Sequence, residues 1–164
     1  MKVLVLSDSH GMRSFARFAI GAVKPNAIVH LGDHYDDGEA IHKENPLIPF
    51  WQVPGNCDRH RCFPPQPEIV CCQIGGVRLY LTHGHLHGVK MSTGRLIHAA
   101  VEAKSNAVLY GHTHQRDCRL EQGMWILNPG TCGSWGGSVG LIVIENGQIV
   151  SCSILNQKDL EDFV

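Results

Sequence analysis

No run of about 18 apolar residues exists in the 164-residue sequence, so no segment is suited to crossing a bilayer as a helix. A secretory leader is not expected either: the charged start, long apolar stretch and small-residue cleavage site are missing, and Asp8 and His10 interrupt the opening apolar run. Charge of one sign is not in excess. Fourteen Lys and Arg against fifteen Asp and Glu leave a formal net charge of −1, which excludes a general electrostatic pull toward nucleic acid or anionic membrane. Neither is an expected partner, and any anionic ligand must be drawn by a local site. CxxC pairs are also lacking. The seven cysteines are odd in number and Cys71-Cys72 are adjacent, which argues against a disulfide framework and against a structural zinc site, and fits a reducing cytoplasm. Repeats, low-complexity tracts and linkers are absent, so residues 1–164 read as one domain with a usable core.

What the chain does have is punctuation at the ends of short apolar runs. Asp8-Ser9-His10 follows Val3–Leu6, and Gly32-Asp33-His34 follows Ile28–Leu31. Gly55-Asn56-Cys57-Asp58 follows Phe50–Val53, His83-Gly84-His85 follows Leu79–Leu81, and Gly111-His112-Thr113-His114 follows Val108–Tyr110. Open α/β sheets bind ligands outside the carboxyl ends of their strands, so five such clusters would converge on one rim.

The periodicity supports such a sheet. Val3–Leu6 suits a strand buried on both faces, and Ala27–Leu31 repeats it. Between them Phe15, Phe18, Ala19, Ala22 and Val23 trace a helical stripe, with Ser14 as its cap and Lys24-Pro25 as its end. Asp36 or Asp37 caps a short helix through His42. Arg61–Pro67 reads as an extended loop, and Glu68–Ile74 with Val77–Thr82 form a hairpin about Gly75-Gly76. Ser92–Lys104 suits a helix burying Leu96, Ile97, Ala100 and Val101. Two further strand pairs turn near Glu121–Gly123 and at Asn146-Gly147. An α/β domain with two packed sheets follows.

Seven donors stand out: Asp8, His10, Asp33, Asn56, His83, His112 and His114. Carboxylate, imidazole and one carboxamide suit borderline to hard divalent ions, with manganese first and iron, cobalt, nickel or zinc as alternatives. Seven donors at one rim suit two ions. Asp33, alone on its strand tip, is the natural bridge, since a carboxylate binds through both oxygens. Two ions polarise a shared water and clamp the oxygens of an in-line displacement, which suits phosphoryl transfer by a bridging hydroxide. With only Asp8 and Asp33 anionic, the site stays net positive and draws phosphate into a near-neutral protein. A single cluster alone would also fit a helix cap or a turn. In His112-Thr113-His114 both imidazoles are expected on one strand face.

The order D-x-H, GD, GN-x-D, H-G-H, GHTH resembles the calcineurin-like metallophosphoesterases. The compact length, GNCD and the late Asn128-Pro129-Gly130-Thr131 are similar to the small YfcE-type phosphodiesterase branch. The likeness runs from residue 2 to about 155. It implies a four-layer α-β-β-α sandwich of two packed mixed sheets with a dinuclear site. Asp8, His10 and His114 would hold one ion and Asn56, His83 and His112 the other, with Asp33 bridging. Small members of the family often self-associate, so a homo-oligomer is compatible with the resemblance. Many relatives carry a His after the Asn, where it protonates the leaving group; here that position is Cys57, expected to be a buried, inert thiol. His85 is expected to orient a ligand or touch phosphate, and stands with Asp33 and Asn56 as catalytic.

Arg59 is expected at the surface, Asp58 as a cap within its own loop, His34 at the rim, Trp51 and Trp125 in strands, and Trp135 against a substrate ring. His30, His42, His60, His87 and His98 read as structural or solvated. The function expected is hydrolysis of a small organic phosphodiester, with a nucleotide among the substrates considered. A phosphomonoesterase or nucleotidase on the same site is the alternative, and a non-catalytic protein-binding scaffold is disfavoured because no donor is missing.

Overall fold

The opening apolar run forms strand β1 (Lys2–Leu6), and its alternation is divided between two cores. Val3 and Val5 face the second sheet, while Leu4 and Leu6 face helices, so all four side chains are buried, as successive residues of a strand point to opposite faces. The structure, a computed structural model, describes residues 1–134 and 136–163; Trp135 and its expected stacking role lie outside them.

β2 (Ala27–His30) and β3 (Phe50–Gln52) continue β1 in parallel, and the hairpin β9 (Ser138–Glu145) and β10 (Gln148–Asn156) adds two antiparallel strands in the order β10-β9-β1-β2-β3. Asn146 and Gly147 both have positive φ (50° and 77°), as a twisted two-residue hairpin turn requires. The second sheet has the order β4-β5-β6-β8-β7, built from β4 (Ile69–Ile74), β5 (Val77–Thr82), β6 (Ala107–Leu109), β7 (Asp117–Glu121) and β8 (Met124–Asn128). β5, β6 and β8 run parallel there, and β4 and β7 are antiparallel edges.

Helices α1 (Ser14–Val23), α2 (Tyr35–Glu44) and α4 (Gln157–Glu161) cover the outer face of the first sheet, and α3 (Gly94–Glu102) covers the second. Four layers in the order α-β-β-α result, with the largest core between the sheets.

Several local expectations are corrected. Ser14 is already helical and caps nothing: Arg13 holds the N-cap without a side-chain bond. The buried stripe of α1 is Phe15, Ala16, Ala19, Ile20, Ala22 and Val23, rotated so that Phe18 is 36% exposed. Val101 of α3 is 55% exposed, because that narrow helix buries only Leu96 and Ala100 fully. α2 begins at Tyr35, ahead of Asp36 and Asp37. Its free amides His34 N and Tyr35 N donate to Asp58 Oδ1 (2.9 and 2.8 Å), a carboxylate 24 and 23 residues away. Asp58 Oδ2 also accepts Gly55 N (2.7 Å), which fulfils its expected cap role. Among the described residues no helix is long and apolar enough to cross a membrane.

His30 is fully buried, as its structural reading requires. Its Nδ1 accepts Gly32 N–H (3.3 Å), which leaves the proton on Nε2, 3.1 Å from Ser9 Oγ. A second proton on Nδ1 would meet that amide hydrogen, and burial pushes the pKa from 6.5 to about 4. Between those values the unfolded chain binds a proton that the native chain refuses. This contribution is therefore complete above pH 6.5 and declines on acidification, by about 3 kcal/mol near pH 4. Urea unfolding at pH 7 and pH 4.5 should show a loss that His30→Gln reduces; equal losses in both proteins would assign the acid sensitivity elsewhere.

Candidate metal centre

Five loops leave the carboxyl ends of β1, β2, β3, β5 and β6, and each carries one of the punctuated clusters. The first three belong to one sheet and the last two to the other, so the donors meet where the rims of the two sheets adjoin.

Asp8, His10, Asp33 and His114 form a group whose ligand atoms all lie within 4.8 Å of one another. His114 Nε2 is 3.2 Å from Asp8 Oδ1 and 3.2 Å from His10 Nε2, and His10 Nε2 is 4.0 Å from Asp33 Oδ2. His83 lies on the other side of Asp33, its Nε2 3.5 Å from Asp33 Oδ1 and 3.9 Å from Asp8 Oδ1. The His112 ring is edge-on to His83 at 5.1 Å. Asp33 thus touches both groups. Asn56 is in the loop that holds Asp33, because Cys57 N donates to Asp33 Oδ1 (3.0 Å); its amide nitrogen rests 3.4 Å from Cys57 Sγ.

The residues fit a metal by a direct criterion. Asp8 Oδ1 and His83 Nε2 are buried without a hydrogen-bond partner among the described residues, and both face the same space. Unpaired buried polar atoms are costly and uncommon, and a cation among them would satisfy both. Their other atoms are held: Asp8 Oδ2 accepts from Ser7 Oγ and from His112 N (3.1 Å), and His83 Nδ1 is 2.7 Å from the Leu31 carbonyl. That carbonyl keeps the proton on Nδ1 and leaves Nε2 with a free lone pair, the usual way a ligating imidazole is oriented.

The backbone carries a second signal. Asp8, His10, Asp33, His112 and His114 all adopt the left-handed region, with φ between 47° and 69°. Such conformations are uncommon outside glycine, and they cluster where surrounding structure over-determines them for function. They also overturn the strand-face reading of His112 and His114, whose rings turn to different neighbours, His83 and His10. His83 lies past the end of β5 and His85 in a short helical turn, His85–His87.

Burial raises the Asp8 pKa, countered by His83 and His114. Burial would raise Asp33 too, but the neighbouring His83 ring, 3.5 Å away, and the hydrogen bond from the Cys57 amide hold its carboxyl well below the usual range. Burial would lower His83, yet the two carboxylates raise it. His112 falls to about 4 through burial and the charges of His83, Lys90 and His85, so it is neutral and able to ligate at pH 7.

His85 sits beside this group, its ring 5.5 Å from His83 and 6.1 Å from His112, with Nε2 3.6 Å from Glu68 Oε2. Cys57 corrects an expectation: the residue is exposed rather than buried, and partial desolvation of its thiol, with Asp33 close by, raises its pKa, so it stays protonated. His34 is at the rim, 5.5 Å from His10, and Arg59 is exposed and lines a cavity of about 180 Å³ with Gly55, Gln66 and Glu68. The supporting groups Ser7, the Leu31 carbonyl, Lys90 and Glu68 were not anticipated; of these only Ser7, adjacent to Asp8, offered a signal in sequence.

Comparison with known proteins finds both sequence relatives and shared folds. The calcineurin-like phosphoesterase superfamily domain matches residues 1–146. The probable metallophosphoesterase YsnB of Bacillus subtilis is 31% identical over 131 residues, 80% of this chain and 75% of its own. A phosphodiesterase of Methanocaldococcus jannaschii is 25% identical over 146 residues, covering 80% and 84%. Among solved structures, a predicted phosphoesterase of Streptococcus pneumoniae superposes with a TM-score of 0.74 at 24% identity, covering 96% of this chain and 90% of its own.

Proposed function

Because this chain belongs to the calcineurin-like phosphoesterase superfamily, we propose that it is a metal-dependent phosphodiesterase acting on a small organic phosphodiester, a nucleotide included. The observation that carries this reading is the pair of unpartnered buried atoms, Asp8 Oδ1 and His83 Nε2, at the centre of an intact donor set. In the proposed arrangement Asp8, His10 and His114 hold one divalent ion and Asn56, His83 and His112 a second, with Asp33 shared. Bound ions would supply Lewis acidity toward phosphoryl oxygens and lower the pKa of a nucleophilic water.

The chain's own groups do the positioning. Ser7 and the His112 amide fix Asp8, the Leu31 carbonyl fixes the His83 tautomer, and the Cys57 amide fixes Asp33. His85, beside His83 and His112 and 3.6 Å from Glu68, would contact a non-bridging phosphate oxygen. A protonated thiol at Cys57 is a weak substitute for an imidazolium as proton donor, so diesters with good leaving groups should turn over fastest. The scaffold reading is disfavoured because every expected donor is present.

The test is a metal-by-substrate screen on protein stripped with a chelator. Hydrolysis of aryl diesters should return with Mn²⁺, Ni²⁺ or Co²⁺ and return less with Mg²⁺, which prefers oxygen ligands and keeps its waters. Activity with Mg²⁺ and none with the transition metals would contradict the donor assignment. Faster turnover of monoesters than of diesters would move the protein to the phosphomonoesterase alternative.

A further inference from the structure

Away from the metal centre, two thiols bring the outer edges of the sheets together. Cys118 lies on β7, the edge strand of the second sheet, paired in register with Leu127. Cys152 lies on β10, the edge strand of the first sheet, paired with Ile142. Both side chains pack against the core between the sheets, and both are half-buried. Their sulfurs are 3.5 Å apart, within hydrogen-bonding reach across 34 residues of sequence. The other cysteines are placed differently. Cys71 and Cys72 are neighbours on one strand and point to opposite faces, Cys57 is exposed, and Cys62 and Cys132 are buried.

We propose that Cys118 and Cys152 form an oxidative modification site, which takes a hydroperoxide as two-electron oxidant and closes into a disulfide joining the two sheets. The Cys118 thiolate attacks the terminal oxygen of the hydroperoxide; the O–O bond breaks, the cysteine becomes a sulfenic acid, and water or an alcohol leaves once protonated. The Cys152 sulfur then attacks Cys118 Sγ, forming the S–S bond and releasing water. Overall, two thiols and one hydroperoxide give one disulfide, one water and one water or alcohol. The hydrogen bond shared by the two sulfurs, 3.5 Å apart, lowers the Cys118 pKa and raises that of Cys152, which gives Cys118 the part of attacking thiol. The sulfurs must approach to about 2.05 Å, a shift of about 1.5 Å that edge strands with half-buried side chains can supply.

The experiment uses purified wild-type protein treated with hydrogen peroxide, then alkylated, digested without reductant and analysed by mass spectrometry. A linked peptide pair containing Cys118 and Cys152 is expected, with Tm raised by roughly 10 °C and restored by dithiothreitol, because the cross-link closes a 34-residue loop. Cys118→Ala should abolish both the linked peptide and the shift. The inference is overturned if Cys118 and Cys152 are both alkylated after treatment that oxidises the exposed Cys57. It is equally overturned if another pair forms the cross-link, or if Cys118→Ala keeps the shift. The wild-type peptide map decides the matter even if the variant folds poorly.

Discussion

Asp33→Asn is expected to lower kcat/KM by at least 100-fold while leaving Tm within a few degrees of wild type. The carboxylate lies between the two donor groups, with Oδ1 3.5 Å from His83 and Oδ2 4.0 Å from His10. Asparagine keeps the shape and one oxygen that can accept the Cys57 amide, so the loop holding it has little reason to rearrange. What disappears is the negative charge and the second anionic oxygen, and with them any way for one side chain to serve two cations. The His83 pKa would fall at the same time, because Asp33 is one of the groups that raises it. Steady-state kinetics on an aryl diester, with metal content measured on the same sample, checks this. Retention of more than about a tenth of the wild-type kcat/KM, a loss below about 1.4 kcal/mol, would place the bridge elsewhere.

Gly55→Ala should be as damaging, for a different reason. The φ of Gly55 is −100°, which any residue adopts, so the constraint is space. A Cβ there would sit 2.2 Å from Asp33 Oδ1 and 2.5 Å from Asp33 N, and one on Gly32 would sit 2.5 Å from Gly55 N. The loops after β2 and β3 therefore touch backbone to backbone, and a methyl group must push them apart at the site's centre. Overpacking costs about 1–3 kcal/mol, so Tm should drop by roughly 5–10 °C and the purified variant should have lost bound metal. Gly21→Ala is the control: nothing lies within 4 Å of that Cβ in α1, and the change should stabilise by about 0.5–1 kcal/mol. Unchanged metal content in Gly55→Ala would mean that the two loops part without disturbing Asp33.

That the seven proposed donors lie along one rim could be read from sequence, because each sits just past a short apolar strand and strand ends in parallel sheets converge. Hairpins were equally legible where Gly75-Gly76 or Asn146-Gly147 supplies positive φ. Other features depend on contacts that no local window contains. The cap of α2 comes from Asp58 in another loop, and the exposure of Phe18 and Val101 depends on which neighbours cover each helix. The directions of His112 and His114 are set by left-handed backbone rather than by the strand that the local pattern suggests. Helix α4 was missed because it spans only five residues, although Asn156 and Asp159 form a complete capping box at its start.

The origin of the donors bears on how the protein folds. Asp8, His10, Asp33 and Asn56 follow strands of one sheet, and His83, His112 and His114 follow strands of the other. Neither half of the chain holds a full set, so a chelating geometry cannot preorganise in a nascent sheet. Ion capture by the proposed site would then be a late event in assembly, coming after docking across the central core. Its binding energy would act mainly as a brake on unfolding, since interactions absent from the folding transition state slow escape from the native state without hastening arrival.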